Sequence, residues 1–375
     1  MAVTMQNIAD LAGVSRPVVS AVLNGNSKLK VASGTRARIL ELVNKTGYTR
    51  NLPACLLNGQ TSRSIALFTN PNDIPLFQEL RYQITGMVSA YGYRIMHFPI
   101  IMPKNTAEII EDSLQFGIDG IITIDCTSTV LQREINTPMV SLMRDTVAAD
   151  VKIDLEQGEY EMTRHILEHG HRRLCLIGNS LSYQPGKVAG FRRACAEYNI
   201  SPKYSTLLDL TWNTTFAEQL ERLLYHDRVT AFVCSCDFIA VRLMGYLSHC
   251  GIRVPDDIVL GGYDGDMYAC SGPCRITTVW QPVVQMGKLA VEILMEKIRT
   301  KNFNVLAKPY TLKPVLHLGE SCGCKPPPEK TICWERVINT LEGSNNLIKV
   351  PPPELIERYQ NFQSSESTKD QGDVE

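Results

Sequence analysis

The chain begins with two very short one-face helical patterns set end to end. In "NIADLAGVSRPVVSAVLNGN" (7–26) apolar residues recur every three or four positions, break at Gly13 and resume at once. Helices of two turns are marginal alone and have to be held by each other. The pattern predicts helices over 5–12, 16–23 and 34–45, with Thr4, Ser15 and Ser33 at the N-caps. Ile8, Leu11, Val14, Val19, Val22 and Leu23 are the expected core of this head, with Ile39, Leu40 and Val43. Ala9, Gly13 and Val19 have helix-turn-helix spacing: a small residue for close approach, a glycine for positive φ, an apolar pin. Such a turn holds the second helix proud, so that its N-terminal side chains enter a major groove. A generic αα-hairpin is the alternative.

Next comes "GYTRNLPACLLNGQTSRS", a loop with one short helix over 52–57 and Gly59 as its stop. Pro53 falls in the first turn of that helix, where a missing N–H costs nothing. From Ser64 the rhythm changes. "SIALFTN", "YRIMHFPI", "DGIITID", "PMVSLM", "RLCLIGN", "TAFVCSC" and "DIVLGGYD" are short apolar runs bounded by turn residues. Helical patterns such as "FQELRYQITGMVSAYG" and "GFRRACAEYNI" lie between them. Strands alternating with helices predict two parallel sheets built from βαβ units. In such sheets ligands bind beyond the carboxyl ends of strands. After Gly319 the pattern stops. The expected division is 1–46 head, 47–63 hinge, 64–321 body, and 322–375 a proline-containing, partly disordered extension.

Composition changes this picture little. Apolar residues make up 44% and charged residues 21%, as in ordinary globular chains. No apolar run approaches the ~18 residues of a bilayer span, and the N-terminus lacks a signal peptide's apolar core. A cytoplasmic protein is expected. The twelve cysteines include Cys234-Ser-Cys236 and Cys322-Gly-Cys324 but no C-x2-C pair. With Cys126, Cys175, Cys195 and Cys250 in apolar segments, buried reduced thiols are expected, and no metal or cofactor.

Charge is more informative. The first 63 residues carry Arg16, Lys28, Lys30, Arg36, Arg38, Lys45, Arg50 and Arg63 against Asp10 and Glu41, a net of +6. A whole-chain charge of −1 leaves −7 on the rest. A small basic head on an acidic body is the electrostatic footprint of a nucleic-acid-binding domain. It favours DNA binding over a plain hairpin. An enzyme finds no support: Walker A, G-x-G-x-x-G, H-E-x-x-H and G-x-S-x-G are all absent. In "HILEHGH", His165 and His169 share a helix face without the carboxylate of a zinc protease, and His171 reads as a loop residue.

Several motifs in order carry a resemblance: "NIADLAGVSRPVVSAVLNG", "GYTRNLPACLLNG", "GIDGIITID", "KVAGFRRAC", "GIRVPDDIVLGGYDGD" and "RITTVWQPVVQMGKLAVEIL". The span from about 3 to 321 resembles the lactose-repressor (LacI/GalR) family of bacterial transcription regulators. That resemblance implies a helix-turn-helix head and a periplasmic-binding-protein-like body of two α/β subdomains. It also implies a homodimer on an imperfectly palindromic operator, switched by a small, sugar-like effector; the function expected is repression. A regulator answering to a protein partner is the alternative.

By the same resemblance Arg16, Pro17, Ser20 and Ala21 lie on the base-reading face, while Thr4, Ser15 and Asn24 contact phosphates. Arg16 is the side chain able to pair bidentately with guanine, and Ala21 offers a methyl. Leu57, with Ala54 beside it, falls at the family's minor-groove wedge. The resemblance places Leu76, Phe77, Arg144, Lys187, Trp212, Cys236 and Asp264 around the effector. Two departures stand out. Lys187 replaces the usual arginine and loses its planar fork. Cys236 replaces a common asparagine.

Overall fold

The computed structural model describes residues 3–23, 29–48, 61–69, 75–100, 106–125, 136–143, 149–179, 181–210, 216–270, 274–302 and 309–325. The chain divides into two units, Met1–Ser62 and Arg63–Glu375.

The first unit contains α1 (Met5–Ala12), α2 (Arg16–Leu23) and α3 (Ser33–Thr46). Thr4 starts α1 through a reciprocal cap: its Oγ1 accepts from Asn7 N at 3.3 Å, and its own N–H donates to Asn7 Oδ1 at 2.9 Å. Both groups would otherwise be orphan donors or idle acceptors. Gly13 ends α1 at φ +65°, a conformation that strains any L side chain. There Gly13 N donates to Asp10 O and Val14 N to Ala9 O, the paired bonds of a Schellman stop. This turn sends the chain directly into α2.

Ile8, Ala9, Ala12, Val19, Val22 and Ile39 form the buried core, with Val14, Leu23 and Val43 partly buried against it. Two expected core residues lie outside it. Leu11 is 53% exposed and Leu40 44% exposed. The stripe of α1 is completed by Ala9 and Ala12 instead, whose small side chains let the three helices approach. Leu11 contributes only its carbonyl, which accepts from Arg38 Nη2 at 3.3 Å. Ser33 also departs from expectation: it is the first residue of α3, the cap position is Ala32, and no side chain caps that end.

The second unit holds two six-stranded sheets. The first contains β1 (Ser64–Thr69), β2 (Arg94–Pro99), β3 (Gly120–Ile124), β4 (Met139–Leu142), β5 (Val151–Ile153) and β11 (Tyr310–Leu312), in the order β11-β5-β4-β3-β1-β2. Its pairings are all parallel. The second contains β6 (Leu174–Gly178), β7 (Ser205–Asp209), β8 (Ala231–Cys234), β9 (Val259–Asp264), β10 (Thr277–Trp280) and β12 (Val315–His317), in the order β12-β10-β9-β8-β6-β7. Only β12 is antiparallel, against β10.

Seven of these strands coincide with the seven apolar runs. β5, β11 and β12 are three residues each, too short to show a pattern. Strand order means that the chain leaves the first sheet after β5, returns after β10, and crosses again between β11 and β12. Helices α4 (Pro75–Ala90), α5 (Thr106–Gln115) and α10 (Val283–Thr300) belong to the first lobe. Helices α6 (Leu155–Glu168), α7 (Pro185–Glu197), α8 (Phe216–Glu221) and α9 (Asp237–His249) belong to the second. Fully buried β1, β3, β6, β8 and β9 put apolar side chains on both faces, as expected of parallel sheets covered by helices. Cys175, Cys195 and Cys234 are buried among them as expected, whereas Cys250 is exposed.

Candidate nucleic-acid interface and effector site

In the head, α2 starts where the tight turn ends. Ser15 O accepts from Val18 N and Val19 N at 3.0 and 3.3 Å, fixing the first turn. Arg16 and Pro17 follow at the first two helical positions, where proline's missing N–H is no loss. Thr4, Ser15, Arg16 and Pro17 are exposed, and Ser20 is half-buried. Ala21 is different. At 8% exposure it is covered in the folded head, because its methyl is too short to project past its neighbours. The open surface of α2 is therefore led by Arg16. Exposed Lys30, Arg38 and Lys45 keep the same unit basic. Asn24, Ala54 and Leu57 lie outside the described residues.

In the body, the carboxyl edge of the second sheet gathers acidic and amide side chains. Asp264 ends β9, 4% exposed, with φ at +112°. A non-glycine residue there is strained by roughly 1–3 kcal/mol and has to be held by its surroundings. Gln281, just past β10, holds it twice: Gln281 N donates to Asp264 O at 3.1 Å, and Nε2 to Oδ1 at 2.7 Å. Burial raises the Asp264 carboxyl to about 7; Lys187 lowers it, Asp266 raises it, and the Gln281 bond lowers it.

Beside it, Asp237 opens α9 and its Oδ2 accepts from Gly265 N and Asp266 N at 2.7 and 3.1 Å. Burial, then the charges of Asp266 and Asp264, push Asp237 well above the usual carboxylate range. Burial likewise lifts Asp266 to about 6.

Lys187, in the first turn of α7, is 5% exposed. Its Nζ donates to Ser235 O at 2.5 Å and sits 3.8 Å from the centroid of the Tyr263 ring. This is a desolvated cation held by a carbonyl and an aromatic face. A single ammonium can be satisfied this way where a guanidinium fork would have donors to spare. Glu159, fully buried on α6, is the nearby carboxyl that feels the Lys187 charge. Burial raises it to about 8, and the Lys187 charge and the Thr163 hydrogen bond pull it back.

Among the described residues, five buried side-chain oxygens have no hydrogen-bond partner: Glu159 Oε2, Asn179 Oδ1, Asp237 Oδ1, Asp266 Oδ2 and Gln281 Oε1. All belong to the second lobe. Four stand in or just after the loops that follow its strands. Cys236 caps α9 in the same place, and burial lifts its thiol to about 12, so it is neutral.

Lys187, Cys236 and Asp264 are thus brought together. Leu76 and Phe77 are not part of that group: both are buried in the apolar core of the first lobe, at the start of α4. Arg144 and Trp212 lie outside the described residues. Glu159, Asp237, Asp266 and Gln281 were missed. Asp237 directly follows Cys236, and Asp266 stands two past Asp264, so adjacency was a usable signal. Glu159, one of several acids in "LEQGEYE", gave none.

Comparison with known proteins agrees with both halves. Residues 4–51 match the bacterial regulatory proteins of the lacI family, and residues 163–322 match the periplasmic binding protein-like domain. The HTH-type transcriptional repressor PurR of Vibrio parahaemolyticus is 31% identical over 318 residues, covering 80% of this chain and 92% of that protein. This chain belongs to the lacI family of bacterial regulatory proteins.

The fold agrees as well. The lac repressor dimer bound to operator and the anti-inducer ONPF superposes with a TM-score of 0.75 at 20% identity, covering 86% of this chain and 99% of that one. The transcriptional regulator CelR in complex with cellobiose gives 0.60 at 24% identity, covering 85% and 99%. As a lacI-family member the chain is a DNA-binding transcriptional regulator with an effector-binding body, and not an enzyme. Among the described residues no helix is long and apolar enough to cross a membrane.

Proposed function

We propose that this regulator is a homodimeric, cytoplasmic repressor. It binds an imperfectly palindromic operator and changes its operator affinity when a hydroxyl-rich small molecule, a sugar or a nucleoside, binds at the carboxyl edge of the second sheet. The observation that carries the effector assignment is the set of unpaired oxygens on Asn179, Asp237, Asp266 and Gln281. Leaving such groups unmatched costs roughly 1–3 kcal/mol each, and a ligand bearing several hydroxyls would match them. Asp264 is the anchoring acceptor, with Cys236 on the same edge and Lys187 stiffening the floor behind it. Arg144 and Trp212 belong to this reading by the family resemblance alone. On the DNA side, Arg16 reads a base with Pro17 and Ser20 beside it, Thr4, Ser15 and Asn24 set the register on phosphates, and Leu57 with Ala54 wedges the minor groove.

One observation favours a second reading, a body that answers to a protein partner. The Lys187 ammonium is already engaged by Ser235 and Tyr263. A thermal-shift panel of mono- and disaccharides, including cellobiose, and of nucleosides separates the two. Ligand at a hundred times its Kd stabilises the folded state by about 2.7 kcal/mol, which raises Tm by several degrees. The expected result is one chemical class that shifts the wild type and fails on Asp264→Asn. A panel with no shift from a protein that still binds its operator sinks the small-molecule reading.

A further inference from the structure

We propose that His165, His169, Cys322 and Cys324 form a structural zinc site that ties the end of the second lobe to α6. His165 lies in the last turn of α6 and His169 is its C-cap, four residues on, so both imidazoles stand on one side of the helix. Their rings lie 4.6 Å apart, centroid to centroid. The thiols arrive from the far end of the lobe, past β12. Gly323 between them has φ +86° and donates its N–H to Glu320 O at 2.9 Å. That left-handed turn, which a side chain would strain, is compatible with both flanking thiols facing α6.

Three N···S distances match the edges of a tetrahedral site, with His169 joined to the group through Cys324. Cys322 Sγ lies 3.4 Å from His165 Nε2, Cys324 Sγ lies 3.6 Å from His165 Nε2, and Cys324 Sγ lies 3.4 Å from His169 Nε2. The ligand atoms of His165, Cys322 and Cys324 all fall within 4.8 Å of one another. With Zn–N near 2.0–2.1 Å and Zn–S near 2.3 Å, a tetrahedral N···S edge is about 3.6 Å. Two soft sulfurs with two imidazoles suit zinc over the hard cations, which prefer oxygen.

A supporting shell is also present. Thr277 Oγ1 donates to Cys322 Sγ at 2.9 Å, and Gly319 N donates to that same Oγ1 at 2.9 Å, so the hydroxyl proton is directed at the sulfur. A donor aimed at sulfur is what holds a ligating thiolate in place. The loop carrying the thiols is itself fixed to the sheet edge. Ser321 Oγ donates to Leu260 O at 2.6 Å and accepts from Thr277 N at 2.9 Å. Sequence spacing concealed the site, because C-x-C and H-x3-H are far apart in the chain and neither is a zinc signature alone.

The test uses the full-length chain purified from zinc-supplemented culture without chelators. Elemental analysis should find about one zinc per chain. Replacing it with cobalt should give the visible absorption of a four-coordinate ion together with a near-ultraviolet sulfur-to-cobalt charge-transfer band. Chelator should lower the wild-type Tm but leave that of the Cys324→Ser, His169→Gln double variant unchanged. The wild-type cobalt spectrum decides the question even if that variant folds poorly. The proposal is overturned by a chain that carries no zinc and gives no charge-transfer band, whether its two thiols titrate as free or mass spectrometry finds them joined as a disulfide.

Discussion

Burial holds the Glu159 carboxyl at about 8, against an ordinary value near 4.5, although Lys187 and Thr163 both pull it down. The folded state therefore binds a proton that the unfolded chain has already released. The stabilisation from this group is complete below about pH 4.5 and is lost as pH rises through about 8. Asp264 and Asp266, raised to about 7 and about 6, act in the same direction. The Tm of the body should therefore fall as pH rises from about 4 to about 8 and level off above that, and Glu159→Gln should flatten part of the fall. Melting curves across the range check it, and an unchanged slope in the variant would assign the pH dependence to other groups. Asp264 adds a second cost in its positive φ. Strain of this kind persists only where the surroundings over-determine it, and the two bonds from Gln281 supply that constraint.

Among the elements, α2 offers the clearest link from local sequence to function. Gly13 and the Schellman bonds set where α2 begins, and that places Arg16 at its open N-terminal end. Arg16→Ala should cost on the order of 1–3 kcal/mol at the operator and relax preference at one base pair. Competition binding against duplexes mutated one position at a time measures both. An equal loss on random DNA would make Arg16 a phosphate contact. The turn was legible because glycine, small and apolar residues each have one physical job there. The long fully buried strands were legible too, since a parallel strand covered on both faces reads as a continuous apolar run. Leu11 misled because an apolar residue beside a helical stripe looks the same as one within it. The three-residue strands, the buried Glu159 and the polar edge of the second sheet depend on which loops meet in space, and no local pattern encodes that.

At the scale of the molecule, regulation requires that operator and effector bind to the same conformational equilibrium. An effector can shift it only by its differential affinity for the DNA-competent and DNA-incompetent states. Such coupling is typically 1–3 kcal/mol, or roughly 5–150-fold in operator affinity. The two sheets are joined by three crossings of the chain, and four of the five unpaired oxygens lie at the carboxyl edge of the second sheet, where a ligand could bias the pair of lobes. The most direct test titrates the full-length chain onto its selected operator, with and without the compound that raises its Tm. The account predicts a change in operator Kd of at least about fivefold, absent in Asp264→Asn. A compound that stabilises the body and leaves the operator Kd unchanged would contradict it.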